Sequence, residues 1–194
     1  MARKTPAAII GNPTKVYPQS DDFGWRDITG QINVRGVGSN DPTWTVIDAG
    51  PLSAFQFALN DECWMAYHMP HDIVKGSDVH LHTHWMVDGT NVQPVRWEWT
   101  YSFARGFGQD PYVPAGTTIF AQEAPTGVAW QHMTTESSAI TLFALETDAI
   151  LYTRIRRITN GATDNTDGVF LLTGDVHYQS TDRSTINRAP DFYQ

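Results

Sequence analysis

Residues 77–88 read SDVHLHTHWMVD, and this stretch alternates strictly. His80, His82 and His84 fall on one parity, and Val79, Leu81, Thr83 and Trp85 fall on the other. That is the period of a β-strand, whose successive side chains point to opposite faces. One face of the strand therefore carries histidines and the other is mostly apolar. Geometry limits what the row can do. Strand residues two apart are separated by about 6.6 Å, and His80 and His84 by about 13 Å. Zinc–nitrogen bonds are about 2.0–2.1 Å, so one ion cannot take all three rings. A neighbouring pair, His80/His82 or His82/His84, can chelate only with ligands from elsewhere. Three readings stand: a histidine ladder on a polar or interfacial sheet face, a metal site, or a pH-sensitive contact.

The same period recurs along the chain. Strands are expected over 27–34, 43–48, 55–59 and 62–69 before the histidine strand. More are expected over 95–105, 117–122, 128–134, 139–145, 149–158 and 169–179 after it. Residues 62–69 place Cys63, Met65, Tyr67 and Met69 on one face. Residues 95–105 place Trp97, Trp99, Tyr101 and Phe103 together, opposite Arg96, Glu98, Thr100 and Ser102. Asp88-Gly89 is a strong turn signal, so the strands flanking it are expected to pair as a hairpin. No amphipathic helix and no internal repeat emerges, although 134–158 is where a helix could hide. Many short strands separated by Gly/Pro turns specify an all-β, antiparallel β-sandwich, with a jelly roll the best single expectation. Pro6, Pro13 and Pro18 mark residues 1–24 as an extended N-terminal arm. Residues 25–180 then form one domain and 181–194 a polar C-terminal tail.

Composition narrows the function classes. A chain of 194 residues with 41% apolar content builds one substantial core. Net charge is -8 and no basic block exists, so the electrostatic footprint of nucleic-acid binding is missing. No segment approaches the roughly 18 apolar residues of a membrane span. No export signal or membrane anchor is expected from the short apolar run near the start. Cys63 is the one cysteine, which excludes an internal disulfide and a Cys-rich zinc motif. It is expected to be a small buried hydrophobe in a protein made in a reducing cytoplasm.

Nucleophile elbows, phosphate-binding glycine loops and His-Glu-x-x-His are all absent. One enzyme-like pattern remains. Gly76, five residues, His82-Thr-His84, three residues, then Asp88 resembles the first motif of cupins. Gly108, five residues, then Pro114-x-Gly116 resembles the start of the second. Asp88 stands where cupins have Glu, Ile119 where they have the second-motif His, and Val95 where the first motif ends in Gly. That resemblance implies a metal-dependent enzyme or sugar-binding module with His82, His84 and Asp88 as ligands.

A second resemblance covers more of the chain. MPHD at 69–72, SDVHLHTHW at 77–85, VRWEWTYSFARG at 95–106 and DVHYQS at 175–180 are similar to a family of tailed-phage and prophage virion proteins. It implies a non-enzymatic virion structural protein with no cofactor. By analogy with small β-sandwich proteins of tailed phages, the role is a capsid decoration (cement) protein, with a neck or tail component as the alternative. The implied partners are the major capsid protein and further copies of the chain, as a trimer or another symmetric oligomer. The implied location is the capsid surface of the virion, after synthesis in the host cytoplasm. Trp and Tyr are enriched at interfaces, so Trp85, Trp97, Trp99 and Tyr101 are interface candidates, with core filling as the competing role. Trp130 stands with them on the same ground. Arg154, Arg156 and Arg157 could reach an acidic neighbour, or form a solvated strand end.

Overall fold

The computed structural model describes residues 23–36 and 40–183. Almost all of the expected N-terminal arm, and the tail beyond residue 183, lie outside the described residues. Eleven strands run β1 (Gly24–Gly30), β2 (Thr43–Val46), β3 (Ser53–Phe57), β4 (Glu62–His68), β5 (Asp78–Val87), β6 (Val95–Ala104), β7 (Thr117–Glu123), β8 (Met133–Glu136), β9 (Ile140–Thr141), β10 (Ile150–Ile158) and β11 (Val169–Ser180). No helix occurs among the described residues, including 134–158.

The strands form two antiparallel sheets. The first has the order β2-β3-β11-β5-β8, with β1 also paired to β11 and β9 also paired to β5. The second has the order β4-β10-β6-β7. From β3 onward the chain crosses between sheets at almost every connection. This sets β3-β11-β5-β8 against β4-β10-β6-β7, the double Greek key of a jelly roll. Inward-facing residues of both sheets fill the space between. Cys63, Met65, Trp97, Trp99 and Leu151 come from the second sheet, and Leu81, Trp85 and Val176 from the first; all are fully buried. The parities read from the sequence for β4, β5 and β6 are those that face the core. Burial pushes the Cys63 thiol up, and it packs as a hydrophobe.

The Asp88-Gly89 turn does not close a hairpin. Both edges of β5 are occupied, by β11 on one side and by β8 and β9 on the other. Both edges of β6 are taken by β10 and β7. The chain therefore crosses to the other sheet after Val87. Asp88 instead ties this crossing to the start of β11: its carboxylate accepts from the Gly168 N–H at 2.7 Å, and its own N–H donates to the Gly168 carbonyl at 3.1 Å. Several strands are shorter than expected, and β2 stops at Val46 rather than at 48. Trp130 adopts a left-handed backbone (φ 63°), which delays β8 to Met133. The run over 139–145 keeps only Ile140–Thr141.

The register of β11 against β5 shifts between Leu171 and Thr173. Before this bulge, Val169 and Leu171 face the core; after it, Val176 and Tyr178 do. One extra residue, Leu172, thus changes which parity points inward. The sheets also approach closely where Gly30 and Gly174 face each other across β1 and β11. A Cβ on Gly30 would sit 2.7 Å from Tyr67 Cε1 and 2.9 Å from Met65 Cβ. Gly30→Ala is expected to destabilise the fold by about 1–3 kcal/mol through overpacking. Urea unfolding of the two proteins measures this, and an unchanged midpoint would contradict it.

Candidate functional site

Five of the seven histidines gather on the outer face of the first sheet: His80, His82 and His84 from β5, His177 from β11, and His132 from the loop before β8. Strand pairing aligns the face. His80 lies opposite His177, which lies opposite Asp27 of β1. His82 lies between Asp175 of β11 and Glu136 of β8. Opposite residues in an antiparallel pair share a face, so the register alone brings these rings and carboxylates together.

Asp175 is the centre of the group. Its side chain is only 7% exposed. His84 Nε2 lies 2.8 Å from Asp175 Oδ2, and His84 Nδ1 lies 2.8 Å from His132 Nε2. His82 Nδ1 approaches Asp175 Oδ1 to 3.3 Å, but neither atom makes a hydrogen bond among the described residues. The other nitrogen of His82, Nε2, lies 3.6 Å from Glu136 Oε2. His177 faces Glu136 through Nδ1 and Asp27 through Nε2, each at 3.0 Å. His80 directs Nδ1 at the Ser137 carbonyl, 3.1 Å away. Three overlapping sets bring their ligand atoms within 4.8 Å of one another: His82/His84/Asp175, His82/Glu136/His177 and Asp27/Asp175/His177.

The charges are mutually adjusted. Contact with Asp175 raises the His82 imidazole above its ordinary 6.5, while burial opposes the rise and the charges of Asp175, Glu136 and Asp27 reinforce it. Burial pushes the Asp175 carboxyl up, yet His82 and His84 together outweigh burial and hold it below its ordinary 3.8.

The loop before β8 forms a wall of the site. Trp130 donates its N–H to the Val87 carbonyl at 2.7 Å and packs its ring on Phe170 at 5.5 Å. With Met86 and Ala54 this makes a small apolar cluster separate from the main core. Two residues on, His132 stacks on His84 with ring centroids 5.0 Å apart.

The other residues singled out by sequence fall elsewhere. Asp88 does not join His82 and His84, because its carboxylate is engaged at Gly168; the cupin-type ligand set is not assembled. Trp85, Trp97 and Trp99 are fully buried and Tyr101 nearly so, which corrects their reading as interface residues. The core parity of β5 and β6 claims them, and the Trp85 Nε1–H donates to Thr135 Oγ1 at 2.9 Å. Arg154 and Arg156 lie on the outer face of the second sheet and pair within the chain, Arg154 with Glu98 at 2.9 Å and Arg156 with Glu98 at 3.2 Å. Arg157 is no solvated strand end: it is buried, donating to the Phe57 carbonyl at 2.7 Å and the Asn165 carbonyl at 2.6 Å. Sequence reasoning missed Asp175, His177, Glu136 and His132 as members of the histidine face. Only the pairing register, and the bulge that turns Asp175 outward, unites them.

The sign of each shift predicts a stability profile for metal-free protein. The raised His82 value contributes stability in full below pH 6.5, lost as pH rises through the folded value. The lowered Asp175 value contributes stability above pH 3.8, lost as pH falls through the folded value. Thermal melts in chelator are expected to show wild type losing stability above about pH 6.5 more steeply than His82→Gln. Parallel profiles for the two proteins would refute this assignment.

No protein-family model and no curated protein matches this chain. Among the solved structures that bear a slight likeness to this chain, three illustrate its extent. Dimeric latent PorU from Porphyromonas gingivalis matches 82% of this chain at 10% identity with a TM-score of 0.42, and this chain spans 13% of that protein's length. TmCBM61 in complex with β-1,4-galactotriose matches 79% of this chain and 88% of its own at 13% identity and a TM-score of 0.29. Eiger TNF from S. frugiperda matches 84% of this chain and 98% of its own at 11% identity and a TM-score of 0.27. At these scores the likenesses carry no functional argument.

Proposed function

We propose that this chain is a non-enzymatic structural protein of a tailed-phage virion, acting as a capsid decoration protein that binds the major capsid protein. The observation that carries this reading is an apolar edge on the first sheet. Edge strand β2 presents Trp44, 62% exposed, and Val46, with Leu52 in the turn that follows. Trp44 stands edge-on to Phe55 of β3, with ring centroids 4.8 Å apart. Exposed edges and clustered large apolar side chains are what a monomer avoids and what an interface uses.

A second support comes from the four segments that resemble the virion family. Asp72 of the first accepts hydrogen bonds from Tyr178 at 3.1 Å and Ser180 at 2.6 Å, both in the last. Burial and this carboxylate push the Tyr178 hydroxyl up to about 12. Asp175 of the last segment meets His84 of the second. Glu98 of the third meets Arg154 and Arg156. The matching residues thus hold strands to one another, as structural motifs do. Binding energy spent only on the assembled shell stabilises that shell by mass action.

Cosedimentation of the purified chain with expanded capsids, and separately with isolated tails, tests the proposal. Capsid binding is expected, and Trp44→Ser is expected to weaken it by about 30-fold or more, as loss of a buried aromatic anchor does. Binding to tails alone would favour the neck or tail alternative, and binding to neither would remove the virion reading.

A further inference from the structure

We propose that His82, His84 and Asp175 form a binding site for one divalent transition-metal ion of the zinc class on the outer face of the first sheet. Two buried atoms carry the argument. His82 Nδ1 and Asp175 Oδ1 are shielded from solvent, make no well-aligned hydrogen bond among the described residues, and lie 3.3 Å apart. Leaving a buried acceptor unsatisfied is costly, and a buried ionised carboxylate needs compensation. A tetrahedral zinc ion with bonds of about 2.0–2.1 Å holds neighbouring ligand atoms about 3.3–3.4 Å apart. The separation is therefore that of two ligands on one ion. His84 Nε2, 2.8 Å from the other oxygen of Asp175, supplies the third ligand.

The surroundings orient both rings as ligands need. A metal-bound imidazole usually donates its second N–H to a carboxylate or another acceptor, which fixes the tautomer. His82 turns Nε2 toward Glu136 at 3.6 Å, and His84 turns Nδ1 toward His132 Nε2 at 2.8 Å. Metal binding replaces the proton between His84 Nε2 and Asp175; His84 then carries its proton on Nδ1 and donates it to His132. Two imidazoles and one carboxylate suit zinc, cobalt, nickel, copper or ferrous iron, whereas calcium and magnesium prefer all-oxygen shells. Three protein ligands leave a position for water or an added ligand. His80 does not take part, since its Nδ1 is directed at the Ser137 carbonyl.

The test uses the full chain stripped with chelator and dialysed, with zinc and cobalt(II) as probes. Calorimetry is expected to give one zinc ion per chain, and cobalt(II) to give the visible absorption of a low-coordinate nitrogen–oxygen site. His84→Gln and Asp175→Asn are expected to weaken zinc binding by about 100-fold or more. His132→Gln, which touches only the orienting contact, should weaken it by about 10- to 100-fold. His80→Gln should bind as wild type does. Circular dichroism establishes that each variant is folded before it is titrated. The proposal is overturned if folded wild type takes up no zinc, or if the His84→Gln/Asp175→Asn double variant binds it undiminished. Fewer than one ion per chain, rising with oligomer formation, would overturn the single-chain site in favour of a bridging ion between copies.

Discussion

One extra residue in the last strand governs the candidate site. A β-strand offers one parity to the core and the other to solvent, and a uniform β11 would keep that assignment along its whole length. With Val169 and Leu171 inward, a regular continuation would turn Asp175 and His177 inward as well. A carboxylate and an imidazole would then lie against Met65 and Tyr67. The bulge at Leu172 resolves the conflict by exchanging the parities, so that Val176 and Tyr178 fill the core and Asp175 and His177 join the outer face. Bulges are known for re-aiming side chains beside functional positions. Gly174, the first inward position after the exchange, then lies against Met65, where a Cβ would come within 2.9 Å of the sulfur.

The face so created is energetically demanding. Asp175 is buried almost as deeply as a core residue, although it stands on the outside of the sheet. The rings of His82, His84 and His177 crowd around it. A charge in such a place is tolerated only when opposite charge or a cation balances it. A positively charged His82, or a metal ion, meets that need from the same position. The two occupants compete for the same lone pairs, because metal ligands must be deprotonated.

Much of this architecture is legible in the residues. The alternation of 77–88 places Trp85 inward and the histidines outward, and the aromatic parity of β6 does the same for Trp97 and Trp99. The restriction of one ion to a neighbouring histidine pair follows from strand rise alone. What the sequence lacks is register. Asp175 is 91 residues from His84, and nothing local indicates that they pair. The Asp88-Gly89 signal reverses the chain as its chemistry requires, but a turn does not say whether the next strand stays in the sheet. Here the edges of β5 go to β11, β8 and β9, and the jelly roll turns an expected hairpin into a crossing. Arg157 misleads for a related reason: on parity it belongs with Ile155 and Leu151, and two backbone carbonyls make its burial tolerable.

A filled sandwich leaves recognition to its surfaces. Three tryptophans, Tyr67 and their neighbours occupy the space between the sheets. The two outer faces differ in chemistry. On the second sheet, Glu62, Glu98, Arg154 and Arg156 form a ladder of ion pairs, in which Arg154 Nε and Arg156 Nε lack a hydrogen bond among the described residues. On the first sheet, β5 and β11 hold a polar cluster whose buried atoms remain unsatisfied, while β2 exposes an apolar edge. Unsatisfied polar atoms and exposed apolar surface both cost free energy in an isolated chain, and both costs are relieved by binding. The second sheet carries such costs too, since β7 exposes Phe120 and β10 exposes Tyr152.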